Sequence, residues 1–564
     1  MKTRRLVLIP VLFFCSLLSY GLDRQAFTFT SYNLKVKVDP AKGGFAAAGT
    51  LQARNDSNLP ERNLVLQISG TLAWSSVKIG DQEVPWVQQQ YTSDIDHCGE
   101  LSEAILTFSK PVAPGAYVNV SFAYDGTIPL NTGRLLRVNT PGTYAAKTDW
   151  DRISDSFSAV RGLGYVVWYP VAMDSVTFAD GPAVWDAIAA WNQRHRASSL
   201  KADFTVPAGQ QLVSNADSSQ ILADGTVELN YASLGVHAPT FVLGTFTKTE
   251  RPGMTIYSLP DHTQLARDYV NAAEKVTPEM SDWFGTPKTK LTVIELSDSE
   301  VLPYDDGSTF FFTPLLQIQE QGLEMMMAHQ IVHTIIQSPR PWIQEGLAYL
   351  GQLLVHEKQG GRDQALLFLH QFNAPLADIE KADLQAGKPQ PLATSNDQLL
   401  YRAKGAYVWF MLRDLAGDDQ LSAAIKNYRA ALDTQPNYMQ SLIEAQMKQK
   451  GSLELFFDNW VSHDKGLADF RIDSVYPRNT LGTNYVVTVT VENLGEAGAN
   501  AIVLVDSGQG ERAEHTWVSA KSKAVIRVAY PGVPQKVLVN DGSVPEWNLD
   551  NNEYEIKNLP KPSE

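Results

Sequence analysis

Residues 324–350 read Glu-Met-Met-Met-Ala-His-Gln-Ile-Val-His-Thr-Ile-Ile-Gln-Ser-Pro-Arg-Pro-Trp-Ile-Gln-Glu-Gly-Leu-Ala-Tyr-Leu. No other stretch of the chain collects the residue types of a reaction centre in this way. His329 and His333 stand four apart, with no Gly or Pro between Leu323 and Ser338, so a helix stacks the two imidazoles one turn apart on one face. Two imidazoles placed so reach one metal ion. Ser338-Pro339 ends that helix, and Pro341, a favoured first helical residue, starts another that folds Glu345 back toward the pair. The expected metal ligands are His329, His333 and Glu345, with a fourth position open to water. Met325, Met326 and Met327 read as gap-filling core.

His-Gln-Ile-Val-His followed by Trp-Ile-Gln-Glu-Gly-Leu-Ala resembles the HExxH…WLNEGxA signature of the gluzincin zinc metallopeptidases, membrane-alanyl-aminopeptidase-like branch. The resemblance implies a thermolysin-like domain, one catalytic Zn2+ and peptide substrates. Two departures matter. The signature's first glutamate, which takes a proton from the attacking water, is Gln330 here, and an amide has no proton-accepting charge at physiological pH. Eleven residues separate His333 from Glu345, a shorter connection than the aminopeptidases use, which trims the wall of the cleft. General acid–base catalysis contributes about 10²–10⁴-fold, or roughly 3–5 kcal/mol of barrier. Zinc still polarises a carbonyl without it. The expectation is a metal-binding, catalytically impaired aminopeptidase-like protein.

The flanking chain fits the same resemblance more loosely. Ordinary composition (44% hydrophobic, 19% charged) marks a globular protein, and 564 residues exceed one core, suggesting about three or four domains. The net charge of −15 excludes a nucleic-acid partner, whose phosphates would be repelled. Lys2, Arg4 and Arg5 precede the apolar run Leu6–Tyr20, and Ser19-Tyr20-Gly21 offers a cleavage site. Residues 1–21 thus read as a signal peptide, and the protein as secreted or periplasmic. Cys15 lacks the small residues that lipidation wants before it. No later stretch is apolar enough to span a membrane, so no integral span is expected in the mature chain. Cys98, the single cysteine remaining, reads as inert.

Leu34, Val36 and Val38, then Leu64, Leu66 and Ile68, then Val118, Val120 and Phe122 alternate with polar residues, a period of two. An N-terminal antiparallel β-sandwich over 22–252 follows, similar in its order of pieces to the saddle domain of those aminopeptidases. Trp168-Tyr169-Pro170 is either a cleft-facing strand or a core pair. Leu265, Tyr269, Ala273, Val276, Met280 and Phe284 recur at helical spacing up to the stop signal Gly285. Strands at 291–296 and 310–312 lead into the histidine helix. This central domain, α/β plus helical, is expected over 253–465. In the family a Gly-x-Met-Glu-Asn strand comes about here and its glutamate holds the substrate's amine. Here the corresponding Asp305-Asp306-Gly307 reads as a plain turn.

Helices are expected over 362–371, 404–416, 419–432 and 451–461, with an irregular connection near 374–397. Tyr401-Arg402-Ala403-Lys404-Gly405-Ala406 resembles the family's Tyr-x-Lys-Gly-Ala, whose tyrosine stabilises the oxyanion. Counted back from Gly405 that position is Arg402, with Tyr401 displaced by one, and either residue could polarise an oxyanion. Residues 466–564 alternate again and read as an immunoglobulin-like β-sandwich closed by an Asn-rich turn. Two other functions stand beside the impaired one: an active peptidase with another base, such as Glu324 or a nearby carboxylate, and a non-catalytic binding or structural envelope protein. In each, the partner is a peptide or protein.

Overall fold

The computed structural model describes residues 22–557 except 81, 307–308, 481–483 and 508–509; the expected signal peptide, including Cys15, lies outside the described residues. The chain forms a sheet-rich N-terminal part, a central region of sheet and helices, and a C-terminal pair of sheets. No helix among the described residues is long and apolar enough to cross a membrane.

The N-terminal part is built on an eight-stranded sheet in which Phe27–Asp39 lies next to Gly44–Asn55, which pairs with Tyr117–Thr127. Leu34, Val36 and Val38 point inward while Lys35 and Lys37 face solvent, as a period of two requires. Glu61–Ser69 is buried without a break from Leu64 to Ser69, because layers cover both of its faces. The expectation of a purely antiparallel sandwich needs correcting. Phe27–Asp39 runs parallel to Ser199–Thr205, with Leu34 opposite Ala202. Parallel neighbours need a crossover, and the helix Ala183–Arg194, absent from the sequence reading, comes just before the second strand. Trp168 and Tyr169 are fully buried core residues rather than a cleft-facing strand.

The crossover helix ends on His195, whose Nε2 accepts the Phe29 N–H at 3.3 Å while Nδ1 meets the Trp191 carbonyl at 2.8 Å. Burial pushes its pKa down to about 4. A depressed histidine contributes stability that is complete above the unfolded value near 6.5 and lost as pH falls through 4. That amounts to about 3 kcal/mol. Urea unfolding between pH 7 and 4 should show this acid loss, and His195→Gln should flatten it.

The central sheet runs in the order Thr247–Arg251, Met254–Ser258, Leu291–Glu295, Phe310–Thr313, Tyr304–Asp305. Its first two strands form a hairpin, so the expected boundary between 252 and 253 cuts through paired strands. The amphipathic helix Thr263–Phe284 crosses between the parallel strands Met254–Ser258 and Leu291–Glu295 and stops at Gly285, whose φ of 106° favours glycine. Trp150, Phe157 and Phe246 pack with Ile294 and Phe312, joining the N-terminal part to this sheet.

Behind the sheet lie the histidine helix Glu320–Ile335, the glutamate helix Pro341–Gly360 and the tyrosine helix Gln398–Ala416. Two helices, Asn373–Ala386 and Tyr438–Met447, were not expected, the first because Pro375 reads as a breaker. In a first turn proline removes no intrahelical bond. The C-terminal strands form one sheet of three and one of four, and Val487, Val489, Val503 and Val539 fill the space between them. Their core is continuous with that of the helices; Trp460 donates to the Gly498 carbonyl at 2.8 Å.

Candidate metal centre

Backbone geometry brings four side chains together. The histidine helix holds His329 and His333 one turn apart, with their Nε2 atoms 3.2 Å from each other. Its last turn gives way to the Gln337–Arg340 connection, which is tightened by Gln344, whose Oε1 accepts the Ser338 N–H at 2.6 Å. Pro341 then starts the glutamate helix, and its first turns return Glu345 to within 3.5 Å of His333 Nε2 and 3.8 Å of His329 Nε2. The fourth group is Asp305, from the edge strand, with Oδ2 3.4 Å from His329 Nε2 and 3.3 Å from His333 Nε2. One ligand atom from each of the four lies within 4.8 Å of all the others.

Asp305, a plain turn residue by its sequence, is instead part of this cluster. Its reach depends on the pairing of Tyr304 and Asp305 with Phe312 and Phe311, which no spacing in the sequence announces. The following residues, 307–308, lie outside the described residues.

Electrostatics bind the group. Burial opposes ionisation of Asp305, but His333 and His329 beside it hold its carboxyl well below the usual carboxylate range. Burial likewise disfavours charge on His333, yet Asp305, Glu345 and Asp306 push its pKa up to about 9. Gln344 Nε2 stands 2.9 Å from His333 Nδ1, and His333 Nε2 is the ring nitrogen that faces Asp305 and Glu345. The His329 ring meets Tyr349 edge-on at 5.1 Å.

Gln330 occupies the turn between the histidines and donates from Nε2 to Asp305 Oδ2 at 2.8 Å. Arg402 reaches the cluster from the tyrosine helix, with Nε 3.4 Å from Glu345 Oε2, and Tyr401 lines the same cleft. Glu324, weighed as a substitute base, is engaged elsewhere, in an ion pair with Lys275 and a 2.8 Å bond from Gln359. Cys98 donates to the Glu100 carbonyl at 3.1 Å, and burial pushes its thiol up, away from the reactive thiolate form.

Two glycines set the spacing of the helices. A Cβ on Gly346 would meet Trp409 Cδ1 at 2.4 Å, and one on Gly405 would meet Gly346 Cα at 3.4 Å. The Glu-Gly and Lys-Gly pairs therefore let the glutamate and tyrosine helices approach closely enough for Arg402 to reach Glu345. Gly346→Ala should cost about 1–3 kcal/mol by overpacking, measured by chemical denaturation.

The cluster opens onto a cavity of about 1340 Å³ between the crossover helix and the loop 233–238 on one side and the helical region on the other. Tyr165, Trp185, His237, Asp305, Glu345 and Arg402 are among its walls. The donor set of two imidazoles and two carboxylates suits zinc or a similar divalent ion. Glu345 Oε2 is buried and makes no hydrogen bond, with Arg402 Nε at 3.4 Å and His329 Nε2 at 3.8 Å.

No family model matches this sequence, and no curated protein matches it. Among solved structures, the chain is similar to an M1 zinc metallopeptidase from Deinococcus radiodurans, with a TM-score of 0.48 and 17% sequence identity, over 78% of this chain and 94% of that one.

Proposed function

We propose that this is a secreted gluzincin-fold, aminopeptidase-like protein with a thermolysin-like centre and an immunoglobulin-like C-terminal domain. It holds one zinc ion on His329, His333 and Glu345, and binds peptides in its cleft with weak or no hydrolysis. The observation that carries this reading is an amide, Gln330, at the turn between the two histidines where hydrolysis needs a carboxylate. Bound zinc would supply charge to polarise a carbonyl laid across the cleft. Arg402, charged and directed at Glu345, and the Tyr401 hydroxyl are the groups available to an oxyanion. Among the described carboxylates weighed as a base, Asp305 is held by Gln330 and faces both imidazoles, and Glu324 is paired outside the cluster. The leader-like residues 1–21 support export.

Protein purified without chelators should contain close to one zinc per chain, and His329→Ala should contain none. A peptide library should be retained by the protein and recovered intact by mass spectrometry. Metal-free wild-type protein, or fast turnover of the library that His333→Ala abolishes, would each refute this reading.

A further inference from the structure

Asp305 has no place in a three-ligand hydrolytic site. We propose that Asp305 is a fourth protein ligand, positioned by Gln330, that closes the coordination sphere, so that the centre keeps its metal while admitting no reactant to it. The inference rests on the metal-binding reading above and changes what the metal is for.

Distances carry the first step. In a tetrahedral site with bonds of about 2.1 Å, ligand atoms stand about 3.4 Å apart. Asp305 Oδ2 lies 3.4 and 3.3 Å from the two imidazole nitrogens, which are themselves 3.2 Å apart. Glu345 offers Oε1 at 3.5 Å from His333 Nε2 and Oε2 at 3.8 Å from His329 Nε2. Asp305 thus stands at a vertex of the polyhedron, the one a three-ligand site leaves open. Two carboxylates also neutralise a divalent ion held by two neutral imidazoles.

The second step is how Asp305 is kept there. Tyr304, the residue before it, packs against Tyr165 at 5.3 Å and Phe312 at 5.8 Å between ring centroids. The Arg161 guanidinium lies 5.1 Å from the Tyr304 ring and is itself clamped by Asp151 at 2.6 Å. The edge strand is therefore fixed by the N-terminal part on one side and the central sheet on the other.

Gln330 supplies the third step. Its Nε2 donates to the same Asp305 oxygen at 2.8 Å. An ionised carboxylate there would face Asp305 at that distance, and two such groups cannot both keep their charge. An amide donor is what a ligating aspartate requires at this position. The loss of the base and the gain of the fourth ligand then become one change seen from two residues.

Cobalt(II) titration tests this, with azide as the probe of an open position. Wild-type protein should take up one cobalt with the intense visible absorption of a four-coordinate ion, and azide should leave the band unchanged. Asp305→Ala and the near-isosteric Asp305→Asn should bind cobalt more weakly and respond to azide. Gln330→Ala should weaken binding by about 10–100-fold, as loss of an orienting partner does. Azide shifting the wild-type band, or Asp305→Asn matching wild type in affinity and spectrum, would overturn the closed sphere while leaving metal binding intact. Wild-type protein that binds no cobalt would overturn the metal-binding reading as well.

Discussion

Stripped of metal by a chelator, the protein should lose stability as pH rises from about 6.5 to 9, while the zinc-loaded protein should hold its stability over the same window. The reason lies in His333. In the metal-free cluster Asp305, Glu345 and Asp306 outweigh burial and hold the imidazolium up to about 9. A histidine with a raised pKa contributes stability that is complete below its unfolded value near 6.5 and lost as pH climbs through the folded one. The loss is about 3 kcal/mol. With zinc bound the imidazole is neutral in the folded state, and above pH 6.5 it is neutral in the unfolded state too, so this slope vanishes. At a thousandfold excess of zinc over its dissociation constant the ion adds about 4 kcal/mol. Urea unfolding at several pH values, with chelator or with zinc, measures both. His333→Asn should remove the slope and the zinc response together. A chelated protein whose stability stays level from pH 6.5 to 9 would rule out the charged pair of His333 and Asp305.

What sequence could show was set by the range over which its signals act. The pairing of His329 with His333, and the return of Glu345 after Ser338-Pro339-Arg340-Pro341, are local consequences of helix periodicity and of proline's place in a first turn. Those three residues were legible for that reason. Asp305 was not, because Asp-Asp-Gly is a turn signal in any chain and its role depends on an antiparallel strand register, Asp305 opposite Phe311, that no local signal announces. Alternation at Leu34, Val36 and Val38 announced strands, yet alternation carries no direction, so the parallel pairing with Ser199–Thr205 stayed hidden. The helix before that strand leaves a trace in Val184, Ile188 and Trp191, three apolar residues at helical spacing amid β-like alternation. Arg402 and Tyr401 were singled out together. That Arg402 meets Glu345 follows from the contact of Gly346 and Gly405, a long-range packing fact visible in sequence only as two glycines.

Gln330→Glu alone should leave the protein without appreciable peptidase activity, and the double variant Gln330→Glu with Asp305→Ala should gain about 10²–10⁴-fold over it, the range ascribed to a general base. The single change sets a carboxylate against Asp305 Oδ2 where an amide now donates at 2.8 Å. Two carboxylates so close share one proton, so the introduced group is either protonated or turned aside and takes no proton from water. Removing Asp305 as well opens its vertex of the cluster and leaves the introduced carboxylate ionised beside it. Arg402 and Tyr401 are unchanged, so whatever they lend to a developing oxyanion is present in both variants. Release of amino acids from a peptide library separates the cases, with the double variant carrying His333→Ala as the silent control. Equal and measurable activity in the single and double variants would show that Asp305 obstructs nothing. Silence in both would mean that the cleft lacks some other part of the hydrolytic machinery, and would count against Asp305 as the sole obstruction.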